Sequence, residues 1–193
     1  GRAASSAEVG ALASAGGEVL AVFGYSDQGG KGIIRSALDT GAFDRFVMGD
    51  GMYGDELLAD LGQFMEGSFG AVPWSQGEGT EAFTALTEEA GVNGESSFTR
   101  ESYDAAALIG MAMMAGGEAT PEAVAANLMD VANAPGEKIL PGELGRALEI
   151  LAEGGEVDYV GASNVELIGP GEAAGTYREY DVTDSDYETV QFR

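Results

Sequence analysis

The stretch from Gly17 to Gly67 constrains the fold most, because its hydrophobic period switches repeatedly between that of a strand and that of a helix. Val19 to Phe23 is an apolar run too short for a helix and long enough for a buried strand. It stops at Gly24-Tyr25-Ser26-Asp27 and a polar, glycine-rich segment from Gln28 to Gly32. Ile33, Ile34, Ala37 and Leu38 then recur at helical spacing, and Gly41 stands where that helix would end. Arg45 to Met48 reads as a second short strand, closed by Gly49-Asp50-Gly51, and Leu57, Leu58, Leu61 and Phe64 mark one face of a second helix. Strands alternating with helices of this length build βαβ units and a parallel sheet, which makes the fold class α/β. Ligands of such sheets sit beyond the carboxyl ends of the strands. Two loops are therefore the first places to look for function, Gly24 to Gly30 and Gly49 to Gly54.

The rest of the chain continues in the same style. Ser5 to Gly16 predicts a short helix, with Val9, Leu12 and Ala13 on one face and Ser6 as its cap. Gly70 to Pro73 predicts a short strand, and a helix follows over 81–89, ended by Gly91. Asn93 to Thr99 reads as loop, and Tyr103 to Ala115 is a helix apolar nearly all round, expected to be buried on several sides. Thr120-Pro121-Glu122 combines a cap, a first-turn proline and an acid at the positive end of the dipole. Pro141 opens another helix, with Leu144, Leu148 and Leu151 facing inward and Gly154-Gly155 ending it. Val165 to Ile168, a Gly169-Pro170-Gly171 turn, Thr176 to Val182, and Tyr187 to Phe192 read as strands and their connection.

Composition removes several classes of function. The 193 residues carry 33 acidic against nine basic side chains, a net charge of −24, which opposes binding to nucleic acid and to anionic membrane surfaces. The same balance suits a salty habitat. There is no cysteine and no histidine, which removes thiol nucleophiles, thiolate metal sites, the usual general base and the commonest metal ligand. No cofactor is expected. No run of about 18 apolar residues is present, so no membrane insertion is expected.

Three segments together, in this order, resemble a known family. GYSDQGGKGIIRSALDTGAFDRFVMGDGM is similar to the second lobe of the type I periplasmic binding proteins that serve branched-chain amino-acid ABC transporters. ESYDAAALIGMAMMAGG resembles that family's Tyr-Asp-Ala helix, and VELIGPGEAAGTYREYDV its closing strands. The resemblance implies Rossmann-like parallel-sheet lobes flanked by helices. It implies that 1–72 and 176–193 form the second lobe and 73–175 the returning part of the first, each incomplete, so that the chain matches only the C-terminal portion of the family. It further implies a periplasmic protein without enzymatic activity, its signal peptide not present in this chain. Such a protein captures a small amino-acid-like or amide-like ligand between two lobes and delivers it to a permease.

The family also assigns roles to particular positions. Tyr25, read from the residues alone, is a core or lid tyrosine at a strand end; the matching family aromatic lines the ligand site, and Ser26 and Met52, on the same two loops, are expected to bind the ligand with it. Asp50, between two glycines, is alone a turn former; the matching family acid holds the ligand's ammonium. Many members carry Glu there, and the shorter Asp leaves the ligand's reach open. Tyr103-Asp104 is either a cleft-and-hinge pair or a helix start with Asp104 in its first turn. Glu88-Glu89 and Asp184 to Asp186 read as solvated faces.

Other chemistries fit poorly. Five residues separate Gly24 from Gly30, and Gly32 follows Lys31 where a phosphate loop needs Ser or Thr. Gly24 to Gln28 lacks the final glycine of a nucleophile elbow. A carboxylate hydrolase using Asp27, Asp50 or Glu56 would need a matched pair of acids, and none is evident. A regulatory ligand-sensing domain of the same fold is the nearer alternative.

Overall fold

A computed structural model describes residues 6–169 and 171–193. Two compact units make up the chain, Gly1–Pro73 with Thr176–Arg193, and Trp74–Gly175. The side chain of Ser6, expected as a cap, and Pro170 of the expected turn lie outside the described residues.

The first unit begins with α1 (Ser6–Ala15), β1 (Leu20–Val22), α2 (Gly30–Thr40), β2 (Phe46–Met48), α3 (Asp55–Leu61) and β3 (Phe69–Trp74). β1, β2 and β3 pair in parallel, with Val22 opposite Met48 and Met48 opposite Gly70. Leu20, Val22, Phe46, Met48 and Val72 are buried on one face, together with Ile34 and Ala37 of α2 and Leu57, Leu58 and Leu61 of α3. Helix α2 ends as the sequence predicts, on Gly41 in the left-handed region at φ 65, whose N–H closes onto the carbonyls of Ala37 and Leu38. The opposite face of the sheet is apolar and open among the described residues. Phe23 is 78% exposed and Phe69 38%, and a shallow cavity of about 460 Å³ lies over Phe23, Val47, Phe69 and Ala71.

Phe64 does not join the stripe of Leu57, Leu58 and Leu61. α3 ends at Leu61 and a tighter 3-10 turn, Gly62–Phe64, follows, which rotates Phe64 away to 55% exposure. The two first strands are also shorter than the apolar runs that predict them, because the flanking residues turn into the loops beyond.

The second unit contains α4 (Glu78–Ala90), α5 (Thr99–Gly116), α6 (Pro121–Ala132), β4 (Glu137–Ile139), α7 (Leu144–Ala152), β5 (Val157–Tyr159), β6 (Leu167–Gly169) and β7 (Glu172–Ala173). β4 and β5 are parallel and joined through α7, a βαβ unit that the sequence hides behind charged residues in three-residue strands. Ala107, Leu108, Met111 and Ala112 of α5 pack with Val131 and Ala132 of α6, Ile139, Ala147, Val157 and Tyr159. Thr120 caps α6 by accepting the N–H of Ala123 at 3.2 Å.

Helix α5 corrects two expectations. It is buried along one stripe rather than on several sides, with Ile109 44% and Met114 39% exposed, because α6 and α7 pack against it within this unit and leave its remaining face open. It also starts at Thr99, which puts Asp104 beyond the first turn.

The chain then returns to the first unit with β8 (Thr176–Thr183) and β9 (Asp186–Phe192), giving the sheet order β1-β2-β3-β8-β9. β8 and β9 form an antiparallel hairpin. Its turn is Asp184-Ser185, both with positive φ of 53 and 66, the pattern of a two-residue hairpin turn whose twist matches the strands. The acidic cluster there, Asp184 to Asp186, is exposed as expected and includes the hairpin turn.

Candidate functional site

The two loops singled out by the alternating pattern meet at the carboxyl ends of β1 and β2. Tyr25 leaves β1 in extended conformation, and its carbonyl accepts the N–H groups of Gln28 at 3.1 Å and Gly30 at 3.0 Å, which folds residues 26–28 into a single tight turn before α2. Gly49 N–H donates to the Val22 carbonyl at 3.2 Å and so starts the second loop beside the first. That loop turns over residues 50–52, with the N–H of Met52 on Gly49 O and that of Tyr53 on Asp50 O, both 3.0 Å.

Close approach of the loops depends on Gly51. A Cβ there would lie 2.5 Å from the Gly24 carbonyl oxygen and 2.9 Å from the Tyr25 ring, so only glycine lets the tyrosine lie across the turn. Tyr25 is 55% exposed. Asp50 is exposed too, and one carboxylate oxygen accepts the N–H of Gly51 at 2.8 Å. Ser26 is half-buried between them in sequence order. Met52 is fully buried with its sulfur against Gly30, so it supports the loops from beneath. The site therefore presents an aromatic face and an acid from adjacent strand ends.

Sequence reasoning missed the group that holds the second loop. The Tyr187 hydroxyl donates to the Gly54 carbonyl at 3.2 Å and accepts the Gly54 N–H at 3.1 Å. Arg178 donates to the Tyr53 hydroxyl at 2.8 Å and to the Tyr187 carbonyl at 2.9 Å. The rings of Tyr53 and Tyr187 stack at 4.3 Å, and Tyr180 meets Tyr187 edge-on at 4.8 Å and Tyr53 at 5.2 Å. Burial raises the phenol of Tyr187 to about 12, against the lowering influence of its bond from Gly54. Burial also raises Tyr53 and Tyr180. The available signal was the crowding of Tyr177, Arg178, Tyr180 and Tyr187 near the chain's end.

In the second unit, Tyr103 and Asp104 both act as clamps. Tyr103 hydroxyl accepts the N–H of Gly142 at 2.8 Å. Asp104, 2% exposed, accepts from the Tyr159 hydroxyl at 2.9 Å, Ala162 N–H at 2.7 Å, Ser163 N–H at 2.8 Å and the Ser163 hydroxyl at 2.5 Å. Among the described residues no group of three or more Asp or Glu side chains is placed to hold a metal ion. No described helix is long and apolar enough to cross a membrane.

A leucine-binding protein, LivK, from Thermotoga maritima superposes over 100% of this chain and 49% of its own length, with a TM-score of 0.71 and 17% identity. The fold is that of the type I periplasmic binding proteins. A branched-chain amino-acid ABC transporter protein from Thermus thermophilus, solved with bound valine, matches 99% of this chain and 49% of its own, with a TM-score of 0.56 and 17% identity. The chain thus spans about half the length of these solved binding proteins. In sequence, it is 39% identical over 93 residues to the chemotactic signal transduction system substrate-binding protein BasB of Halobacterium salinarum. That match covers 48% of this chain and 22% of BasB. No model of a known protein family matches the chain.

Proposed function

We propose that this chain belongs to a periplasmic or externally located solute-binding protein that captures a small amino-acid-like ligand and delivers it to an ABC transporter permease. In this reading Asp50 takes the ligand's ammonium, the exposed ring of Tyr25 covers it, and Ser26 offers a hydroxyl at the rim. Met52 contributes by holding the loops at their spacing. The observation that carries the proposal is the pairing of Tyr25 and Asp50, both open to solvent, on adjacent loops that Gly51 brings into contact. A carboxylate is the natural partner for an ammonium, and a charged hydrogen bond fixes the ligand's orientation.

The likeness to BasB favours a second reading, in which the same ligand-loaded protein is read by a chemotaxis transducer instead of a permease. Both readings share the site and differ in the listener. Calorimetry with L-leucine and L-valine tests the site: Asp50→Asn should weaken binding at least roughly tenfold, a loss of about 1.4 kcal/mol or more. An unchanged dissociation constant would reduce Asp50 to a turn residue. Deleting the gene and comparing amino-acid uptake with chemotaxis toward the same amino acid separates the two listeners.

A further inference from the structure

The loop that carries Asp50 is anchored at both ends, and the second anchor comes from far along the chain. Its start is fixed by the sheet, through Gly49 N–H on the Val22 carbonyl. Its end is fixed by the β8–β9 hairpin, through the two hydrogen bonds between Tyr187 hydroxyl and Gly54 and through Arg178 on the Tyr53 hydroxyl. Gly54 and Tyr187 are 133 residues apart. Between the anchors Asp50 stays exposed, with one oxygen on Gly51 N–H and the other oxygen not engaged in that bond. The ring of Tyr180, 1% exposed, underlies the same cluster, and its hydroxyl has no hydrogen-bond partner among the described residues. A hydroxyl group binding both the N–H and the C=O of one glycine holds that residue against rotation in two directions. That is more constraint than a helix start requires, since α3 already begins with the N–H of Leu57 on the Gly54 carbonyl.

From this geometry we infer that Tyr187 and Arg178 are positioning residues, which set Asp50 in the orientation that recognises an α-ammonium group. The inference rests on the proposed ligand site and adds to it the source of its selectivity for α-amino acids over the corresponding carboxylic acids. A preorganised acceptor meets the ammonium without first losing its own freedom, so loosening the strap costs recognition at that end of the ligand. The rest of the ligand's contacts are unaffected.

The test measures dissociation constants for two pairs of probes, L-leucine with isocaproate and L-valine with isovalerate. Each pair differs by the ammonium alone. Tyr187→Phe keeps the ring that stacks on Tyr53 and removes both bonds to Gly54, and Arg178→Lys keeps the charge and removes the planar fork. Each variant should shrink the amino-acid preference roughly fivefold to tenfold, with isocaproate and isovalerate binding unchanged. In an Asp50→Asn background, Tyr187→Phe should shrink it no further. Equal weakening of both members of a pair would mark the strap as structural only and overturn the inference. If Asp50→Asn abolishes the preference while Tyr187→Phe and Arg178→Lys leave it intact, the ligand site stands and the positioning role falls. If Asp50→Asn leaves the preference intact, or none of the four probes binds, the site itself is wrong and the inference falls with it.

Discussion

Removing the Asp104 carboxylate tests what the Tyr-Asp pair of α5 does. A carboxylate in the first turn of a helix gains about 0.3–1 kcal/mol from the dipole. Asp104 lies beyond that turn and instead collects four donors from residues 159, 162 and 163. In Asp104→Ala the Tyr159 hydroxyl and the Ala162 N–H lose their acceptor inside the protein, at residues 1% and 0% exposed. Each orphaned buried donor costs about 1–3 kcal/mol. Ser163 is half-buried, so its two donors can turn to water at smaller cost. The sum is a loss of ~3–5 kcal/mol, a large share of a typical stability of about 5–15 kcal/mol. For a protein of this size that lowers the melting temperature by on the order of 10 °C. Urea unfolding followed by near-ultraviolet circular dichroism, in buffer of fixed high salt, measures it. Tyr159→Phe should cost less in the Asp104→Ala background than alone, because both changes remove the same bond. A loss under about 1 kcal/mol for Asp104→Ala would refute the clamp and return Asp104 to a dipole role.

Gly51→Ala should unseat Tyr25 and weaken amino-acid binding by roughly tenfold or more, since the added Cβ meets the Gly24 carbonyl at 2.5 Å and cannot be absorbed by a side-chain rotation; calorimetry at unchanged far-ultraviolet circular dichroism checks it. Salt should stabilise the fold. A net charge of −24 repels itself, and the screening length drops from about 10 Å at 0.1 M to about 3 Å at 1 M; a melting temperature that does not rise over that range would count against the repulsion. Alkali should unfold the protein through its tyrosines. Burial raises Tyr53, Tyr159, Tyr180 and Tyr187, and the Asp104 charge adds to the rise at Tyr159. A raised folded-state pKa means that the stabilisation is full below the unfolded value of about 10 and is lost as pH climbs toward and past 12. Tyrosinate absorbance from these four rings should therefore appear together with loss of tertiary signal, and their titration at pH 10 in a folded protein would contradict it.

The βαβ alternation of residues 19 to 61 was legible because strand and helix periods are local properties of a few consecutive residues. The same holds for the left-handed end of α2 at Gly41 and the Thr120-Pro121 start of α6, where the residue type suits one backbone geometry. It also put Tyr25, Ser26 and Asp50 on loops at strand ends, which follows from topology once the sheet is parallel. Other features depend on which elements dock together. Met52 sits in a loop by sequence and in the core by packing, because Gly30 leaves room for its sulfur. Ile109 and Met114 look like core residues and are exposed, since burial of an apolar side chain needs a neighbour that the helix itself cannot supply. The four donors on Asp104 come from 55 to 59 residues away and the Tyr187 strap from 133. A hydrogen bond across such a separation leaves no periodic trace in sequence, because its partners are chosen by the docked geometry and not by spacing along the chain.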